Sequence, residues 1–428
     1  MVRSLAGSGA VRTASMLASF TVGVQLARVL GVAGYGYYGI AIAVITIASI
    51  PSELGIPRLI TREVAASAAH GDIERLFGVL RWGQKTCLAM SLISASAVVA
   101  AALLVHSMRS PTLGAAMLAG SPIVVFMTLS RVCGGALQGL RHIVLGQVPA
   151  NLFQPLLLSL LLLIATLAGL RIAAPGAMAL NALSASGGLL VAHIWLNQRL
   201  PKSRRASLVR GGRRWIASSI PMSLTDGMRI LQSELSTLLL GALVAPAAVG
   251  LFRIANVTAL MAAAPIRVVG HVAMPVVAQL YAEGDSERLQ KAVTALAWSG
   301  FAGVCLLSVP LLLFAEPLLR LVFGGNFVAA AGALRIILAG QIANAAFGPN
   351  AALLNMTHHE RRVTRAMGAA AVLNAALVPL FAIFWGMTGG AVALVISLLC
   401  WNVLTWLDGR RLLQVETSIL TIGWIRST

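Results

Sequence analysis

Twelve apolar windows punctuate the chain, at about 11–31, 36–57, 84–106, 113–137, 148–170, 176–197, 216–243, 248–275, 291–314, 327–348, 366–387 and 389–408. Each is about the length of a helical bilayer crossing, roughly 20 residues, and little chain remains between them. A backbone in hydrocarbon must satisfy its own hydrogen bonds, so runs of this length imply helices and an all-α polytopic membrane protein. A soluble core is excluded: of 428 residues 58% are hydrophobic and 11% charged, more hydrocarbon than a globular interior of that size hides. No connector is long enough for a catalytic module, so a membrane-embedded glycosyltransferase or polymerase, which needs acidic or histidine residues clustered in a large outer loop, ranks as a weak alternative.

The formal net charge of +19 invites a nucleic-acid reading, but the basic residues are scattered among apolar runs and build no basic face. With the N-terminus placed on the cytoplasmic side, 23 of the 32 Lys and Arg fall in inner segments and three in outer loops, while six arginines lie within spans: Arg28, Arg131, Arg229, Arg253, Arg267 and Arg335. The bias puts both termini in the cytoplasm. Most of the basicity is therefore topogenic, and the expected anionic partners are membrane lipids or a lipid-borne substrate. Cys87, Cys133, Cys305 and Cys400 sit in apolar runs without metal-ligand spacing, and read as buried small hydrophobes. No cofactor is implied.

The chain repeats itself at half its length. Gly36-Tyr37-Tyr38-Gly39-Ile40-Ala41 matches Gly250-Leu251-Phe252-Arg253-Ile254-Ala255, and Pro51 matches Pro265, both at an offset of 214. Gly71-Asp72-Ile73-Glu74-Arg75-Leu76 matches Gly284-Asp285-Ser286-Glu287-Arg288-Leu289 at 213, and Leu137-Gln138 before Arg141-His142 is echoed by Leu354-Asn355 before His358-His359. Six spans per unit make the repeats parallel, related by a pseudo-twofold along the membrane normal. The expected organisation is an N-lobe over 1–197, a basic cytoplasmic linker over 198–214, a C-lobe over 215–408 and a cytoplasmic tail over 409–428. Two such lobes are the plan of an alternating-access transporter. The amphipathic stretches at 58–85 and 277–292, which share GDxERL, read as interfacial helices.

Charges at bilayer depth are costly unless they meet a polar cavity or a partner, which makes the embedded ones the functional candidates. Arg253 and Arg267 share the eighth span, 14 residues apart; on one straight helix they share a face about 21 Å long, a stripe suited to an anionic group. Arg28 and Arg335 join them as substrate-cavity candidates, the alternatives being headgroup snorkelling for Arg28 and local pairing for Arg335. For coupling or gating the candidates are Glu53, Asp226, Arg229, Glu234 and Arg12. At offset 214 Glu53 corresponds to Arg267 and Arg12 to Asp226, pairs of opposite sign that would close the cytoplasmic side of a cleft. The competing reading pairs Asp226 with Arg229 one turn along its own helix. Glu53 is also a candidate proton site.

Four further stretches run in order along the chain: Leu26-Ala27-Arg28-Val29-Leu30-Gly31 with Gly34 to Tyr38, Thr61-Arg62-Glu63-Val64-Ala65, Gly139-Leu140-Arg141, and Phe323-Gly324 to Phe327 with Leu334-Arg335-Ile336-Ile337-Leu338 and Gly340-Gln341. In these the chain resembles the polysaccharide transporter family of lipid-linked oligosaccharide flippases, a relative of multidrug and toxic compound extrusion (MATE) transporters and lipid II flippases. It implies a MATE-like fold and a bacterial inner-membrane flippase for an undecaprenyl-diphosphate-linked glycan, an O-antigen or other polysaccharide precursor. By position Arg28 and Arg253 look like cavity arginines of lipid II flippases. A proton or sodium gradient, or the membrane potential, is the implied energy source, and a polysaccharide polymerase or glycosyltransferases are the implied partner enzymes. The first span lacks the acidic residue with which drug-extruding relatives bind a cation, which keeps a cation-coupled multidrug exporter as the alternative.

Overall fold

The structure, a computed structural model, describes residues 2–108, 110–201 and 212–419. The side chain of Arg12, most of the basic linker (202–211) and the tail beyond 419 lie outside the described residues. In chain order the helices are α1 (Val2–Glu53), α2 (Ile56–His70), α3 (Ile73–Met108), α4 (Pro111–Gly120), α5 (Pro122–Gly139), α6 (Ile143–Val148), α7 (Gln154–Leu167), α8 (Ala174–Arg199), α9 (Gly212–Leu243), α10 (Pro246–Ala262), α11 (Ala264–Glu283), α12 (Ser286–Leu313), α13 (Ala315–Val322), α14 (Ala331–Ala346), α15 (Asn350–Met356) and α16 (Glu360–Leu413). A π-turn (Pro149–Phe153) joins α6 to α7, a 3₁₀ turn (Gly325–Ala330) precedes α14, and no strand occurs among the described residues.

By length and apolarity eight helical segments can cross a membrane, or nine if the bent pair α10–α11 counts as one span. Two of the eight, 41 and 54 residues long, are about twice what one crossing needs. They are broken where Gly31 (φ 66°, in α1) and Gly386 (φ 56°, in α16) leave helical geometry. Helices of that length and apolarity are thus fewer than the twelve apolar windows, and α9 is not among them, its apolar stretch carrying Asp226, Arg229 and Glu234.

The chain divides into two compact units, Met1–Ile230 and Leu231–Thr428, with α9 running through the division. In the first, α2 turns Ile56, Leu59, Ile60 and Val64 into a core shared with Leu76 and Val79 of α3, Val132 and Leu137 of α5, and Trp215 of α9. The apolar side of the amphipathic α2 packs against α3 and α5. Glu63 pins the same corner from within. It is 11% exposed and receives Arg75 at 2.6 Å and Arg62 at 3.3 Å, tying α2 to α3. Glu63→Ala is expected to cost about 1–2 kcal/mol, the exposed halves of both arginines being screened by water. The thermal midpoint of the protein in detergent should fall by a few degrees; no change would mean that the tie contributes nothing.

The backbone shows the repeat more plainly than the side chains do. Gly71 and Gly284 both end a helix in the left-handed region (φ 68° and 72°). The following Asp72 and Asp285 then accept the backbone N–H of Arg75 and Arg288, each at 2.9 Å. GDxERL is thus a helix stop followed by a helix start. Arg141 and His358 have left-handed backbones too (φ 67° and 63°), as do Gly169 and Gly386 (φ 70° and 56°), both pairs at an offset of 217. The faintest echo in the sequence marks a turn that both units keep.

Candidate functional site

In the first unit the embedded charges meet at the end of α1. Pro51 and the left-handed pair Leu54 and Gly55 stop that helix and start α2, leaving Glu53 at the break with its side chain 13% exposed. Arg131 of α5 donates from Nη1 to Glu53 Oε1 at 2.5 Å. Beside it Asp226 of α9 receives Arg58 of α2 at 2.6 Å and Arg229, one turn away, at 3.6 Å. Four helices thus contribute to one charge cluster: two acids and three arginines. The local pairing of Asp226 with Arg229 is present, but the shorter contact is to Arg58, a residue that reads as topogenic in the sequence. The Glu53–Arg131 pair brings together two embedded charges that the sequence leaves separate.

In the second unit Glu234 of α9 and Arg253 of α10 form an ion pair at 3.5 Å, with side chains 19% and 18% exposed. Next to it on α9, Ser236 donates to Asn374 of α16 at 3.0 Å, a buried contact. Arg253 and Arg267 do not lie on one straight helix. The helix breaks at Ala263 and the two halves, α10 and α11, are bent by 46°. Pro265, in the first turn of α11, has no N–H to continue the α10 ladder. Arg267 is exposed and donates from Nη2 to the Leu260 carbonyl oxygen across that break, at 3.0 Å. The offset of 217 that relates the other turns places Gly348 where the first unit has Arg131, so the second unit does not repeat its Glu53–Arg131 pair.

Arg335 is engaged locally: it contacts Glu316 of α13 at 3.1 Å and donates from Nε to the Leu312 carbonyl oxygen at 3.4 Å. Of its two readings, the pairing with a nearby acid and backbone is the one found. Arg28 is exposed on α1, one turn before the Gly31 break, with Leu26 and Ala27 buried beside it. Cys87 and Cys133 are buried as expected, while Cys305 and Cys400 are only half-buried. Among the described residues no group of three or more His, Cys, Asp or Glu could hold a metal ion.

The family described as polysaccharide biosynthesis protein matches residues 2–281, and the MatE family matches residues 221–380. No curated protein matches in sequence. Among solved structures, the chain is similar to an inward-facing multidrug resistance MATE family transporter of the MOP superfamily: 16% identity, 93% of this chain and 94% of that one covered, TM-score 0.74. The lipid II flippase MurJ in an inward closed conformation gives 13% identity, coverage of 96% and 88%, and TM-score 0.68. A MOP superfamily transporter from Pyrococcus furiosus, described as having a binding pocket of reversed polarity, gives 15% identity, coverage of 97% and 94%, and TM-score 0.61. These likenesses show a MATE-like fold.

Proposed function

The chain belongs to the polysaccharide biosynthesis protein family, a multi-pass membrane protein with the fold of MOP superfamily transporters and flippases, and on that premise we propose that it is an alternating-access flippase. Its substrate is a polyprenyl-diphosphate-linked oligosaccharide, moved from the inner to the outer leaflet of a bacterial cytoplasmic membrane, with both termini cytoplasmic. The observation that carries the reading is Arg253, little exposed and held by Glu234 at 3.5 Å. That contact is looser than the 2.5 Å pair of Arg131 with Glu53, and a diphosphate can exchange with it. A planar guanidinium offers two parallel donors to phosphate oxygens. Arg267 and Arg28, both exposed, are further points of contact for an anionic headgroup.

A cation-coupled multidrug or small-molecule exporter is the second reading. It is favoured by the MatE match over 221–380 and by the MATE transporter of TM-score 0.74. In that case Glu234, Glu53 or Asp226 is the proton or sodium site. Depletion in the native host separates the two. The flippase reading expects lipid-linked oligosaccharide to accumulate in the inner leaflet, with loss of the outer-leaflet form. Normal delivery to the outer leaflet, with a lost resistance to cationic drugs, would overturn it in favour of the exporter.

A further inference from the structure

The short segment after α16 is seated in a socket built from the second unit. Beyond Leu413 the chain leaves the helix through Gln414 in the left-handed region (φ 53°), and residues 415–418 are buried. Gln290 near the start of α12 brackets the Glu416 backbone. Its Nε2 donates to the Glu416 carbonyl at 2.7 Å and its Oε1 accepts the Glu416 N–H at 2.8 Å. The Glu416 carboxylate accepts from Trp406 Nε1 at 2.5 Å and lies 3.6 Å from Arg410, whose guanidinium stacks over the Trp406 ring at 5.5 Å. Thr417 donates to Asn350, the first residue of α15. The turn before α15 is shaped to receive the segment. Gly348 has φ 72°, and a Cβ there would run into the Thr417 carbonyl oxygen.

What the segment covers gives it a mechanical role. Val415 joins one apolar cluster with Val277 of α11, Leu289 and Val293 of α12, and Leu353 of α15. α11 is the half-helix that follows the 46° break and carries Arg267. At the other end of the same wall, Ile266 and Val269 of α11 line a small apolar cavity of about 20 Å³ together with Ala297, Gly300 and Gly348. Near its N-terminal end α11 packs on α12 through Pro265 against Gly303 and Val269 against Gly300, and near its C-terminal end it is covered by the segment as well as by α12 and α15. A helix broken at Ala263, with its far end under this segment, has a hinge at the break and a cover at the end that would move furthest.

We propose that residues 414–418 are a strap that fastens α11 onto α12 and α15, and that α11 swings about the Ala263 break only when the strap is undocked. The strap is thereby a control point for the arginine that α11 carries, whichever substrate the protein moves. Hydrogen exchange on the full chain in lipid nanodiscs tests it, comparing Glu416→Ala and, separately, Gln290→Ala with the wild type. Release of the strap should raise exchange in 414–419 and, together with it, about tenfold in the C-terminal half of α11, while peptides from α3 and α5 keep their protection. Gln290→Ala lies outside the strap and serves where Glu416→Ala does not fold. Opening of 414–419 with α11 unchanged overturns the proposal, as does no opening in either variant. An equal rise over α3 and α5 also overturns it, since it marks a general loss of fold.

Discussion

Arg131→Ala is expected to lower the thermal midpoint of the detergent-solubilised protein by several degrees and to remove transport with it. The truncation leaves Glu53, 13% exposed at the end of a bilayer-spanning helix, without the guanidinium that meets it at 2.5 Å. Removing one member of a buried pair costs 3–5 kcal/mol in general, and with Arg131 itself about a third exposed a loss of about 2–3 kcal/mol is expected here. Glu53→Gln should cost less, because the amide still accepts a hydrogen bond from Arg131 and no carboxylate is stranded without a partner. The charge-swapped double variant, Glu53→Arg with Arg131→Glu, should recover at least half of the lost midpoint if the two side chains act as a pair. Thermal scans monitored by size-exclusion fluorescence decide it. A double variant no better than the worse single one would mean that the two residues act separately and that each loss has its own cause.

What the sequence discloses and what it hides divide along one physical line. Features encoded by neighbours in the chain are legible. Windows of hydrocarbon dictate the all-helical membrane fold, and GDxERL, with a glycine that stops one helix and an aspartate that caps the next, encodes a corner present in both units. Even the faint likeness around Arg141 and His358 marks a real turn. Partners from distant elements are not legible. Arg58 counts as one more inner positive charge until α2 is folded against α9 and meets Asp226 at 2.6 Å, and nothing in an apolar window tells α5 to deliver Arg131 to the end of α1. The single straight helix expected to carry Arg253 and Arg267 is broken for a local reason: Pro265 lies between them and has no N–H to continue the ladder of α10. Matched to Pro51, that proline marks the repeat, but it also marks the break. The strap escapes sequence reasoning because its residues, Val415 to Ser418, form no periodic pattern. Their burial depends on a socket assembled from α12, α15 and α16.

The Glu234–Arg253 pair is where the two functional readings predict opposite results. If Arg253 holds a diphosphate, Arg253→Ala should cut flipping of a polyprenyl-diphosphate oligosaccharide in proteoliposomes by about 10- to 100-fold, the worth of one or two charge-assisted hydrogen bonds at about 1.4 kcal/mol per decade. Arg253→Lys should fall between, since an ammonium keeps the charge but loses the planar fork. Glu234→Gln then has a distinctive consequence. It removes the acid that competes for the guanidinium at 3.5 Å, so an isoprenyl diphosphate probe should bind more tightly while turnover slows at release. If the protein is instead a cation-coupled exporter with Glu234 as its ion-binding group, the order reverses. Glu234→Gln abolishes drug efflux, Arg253→Ala spares it, and neither variant changes diphosphate binding. The two single substitutions, each read by probe binding and by transport, therefore assign the pair to an anionic or a cationic cargo, whatever glycan the lipid carries.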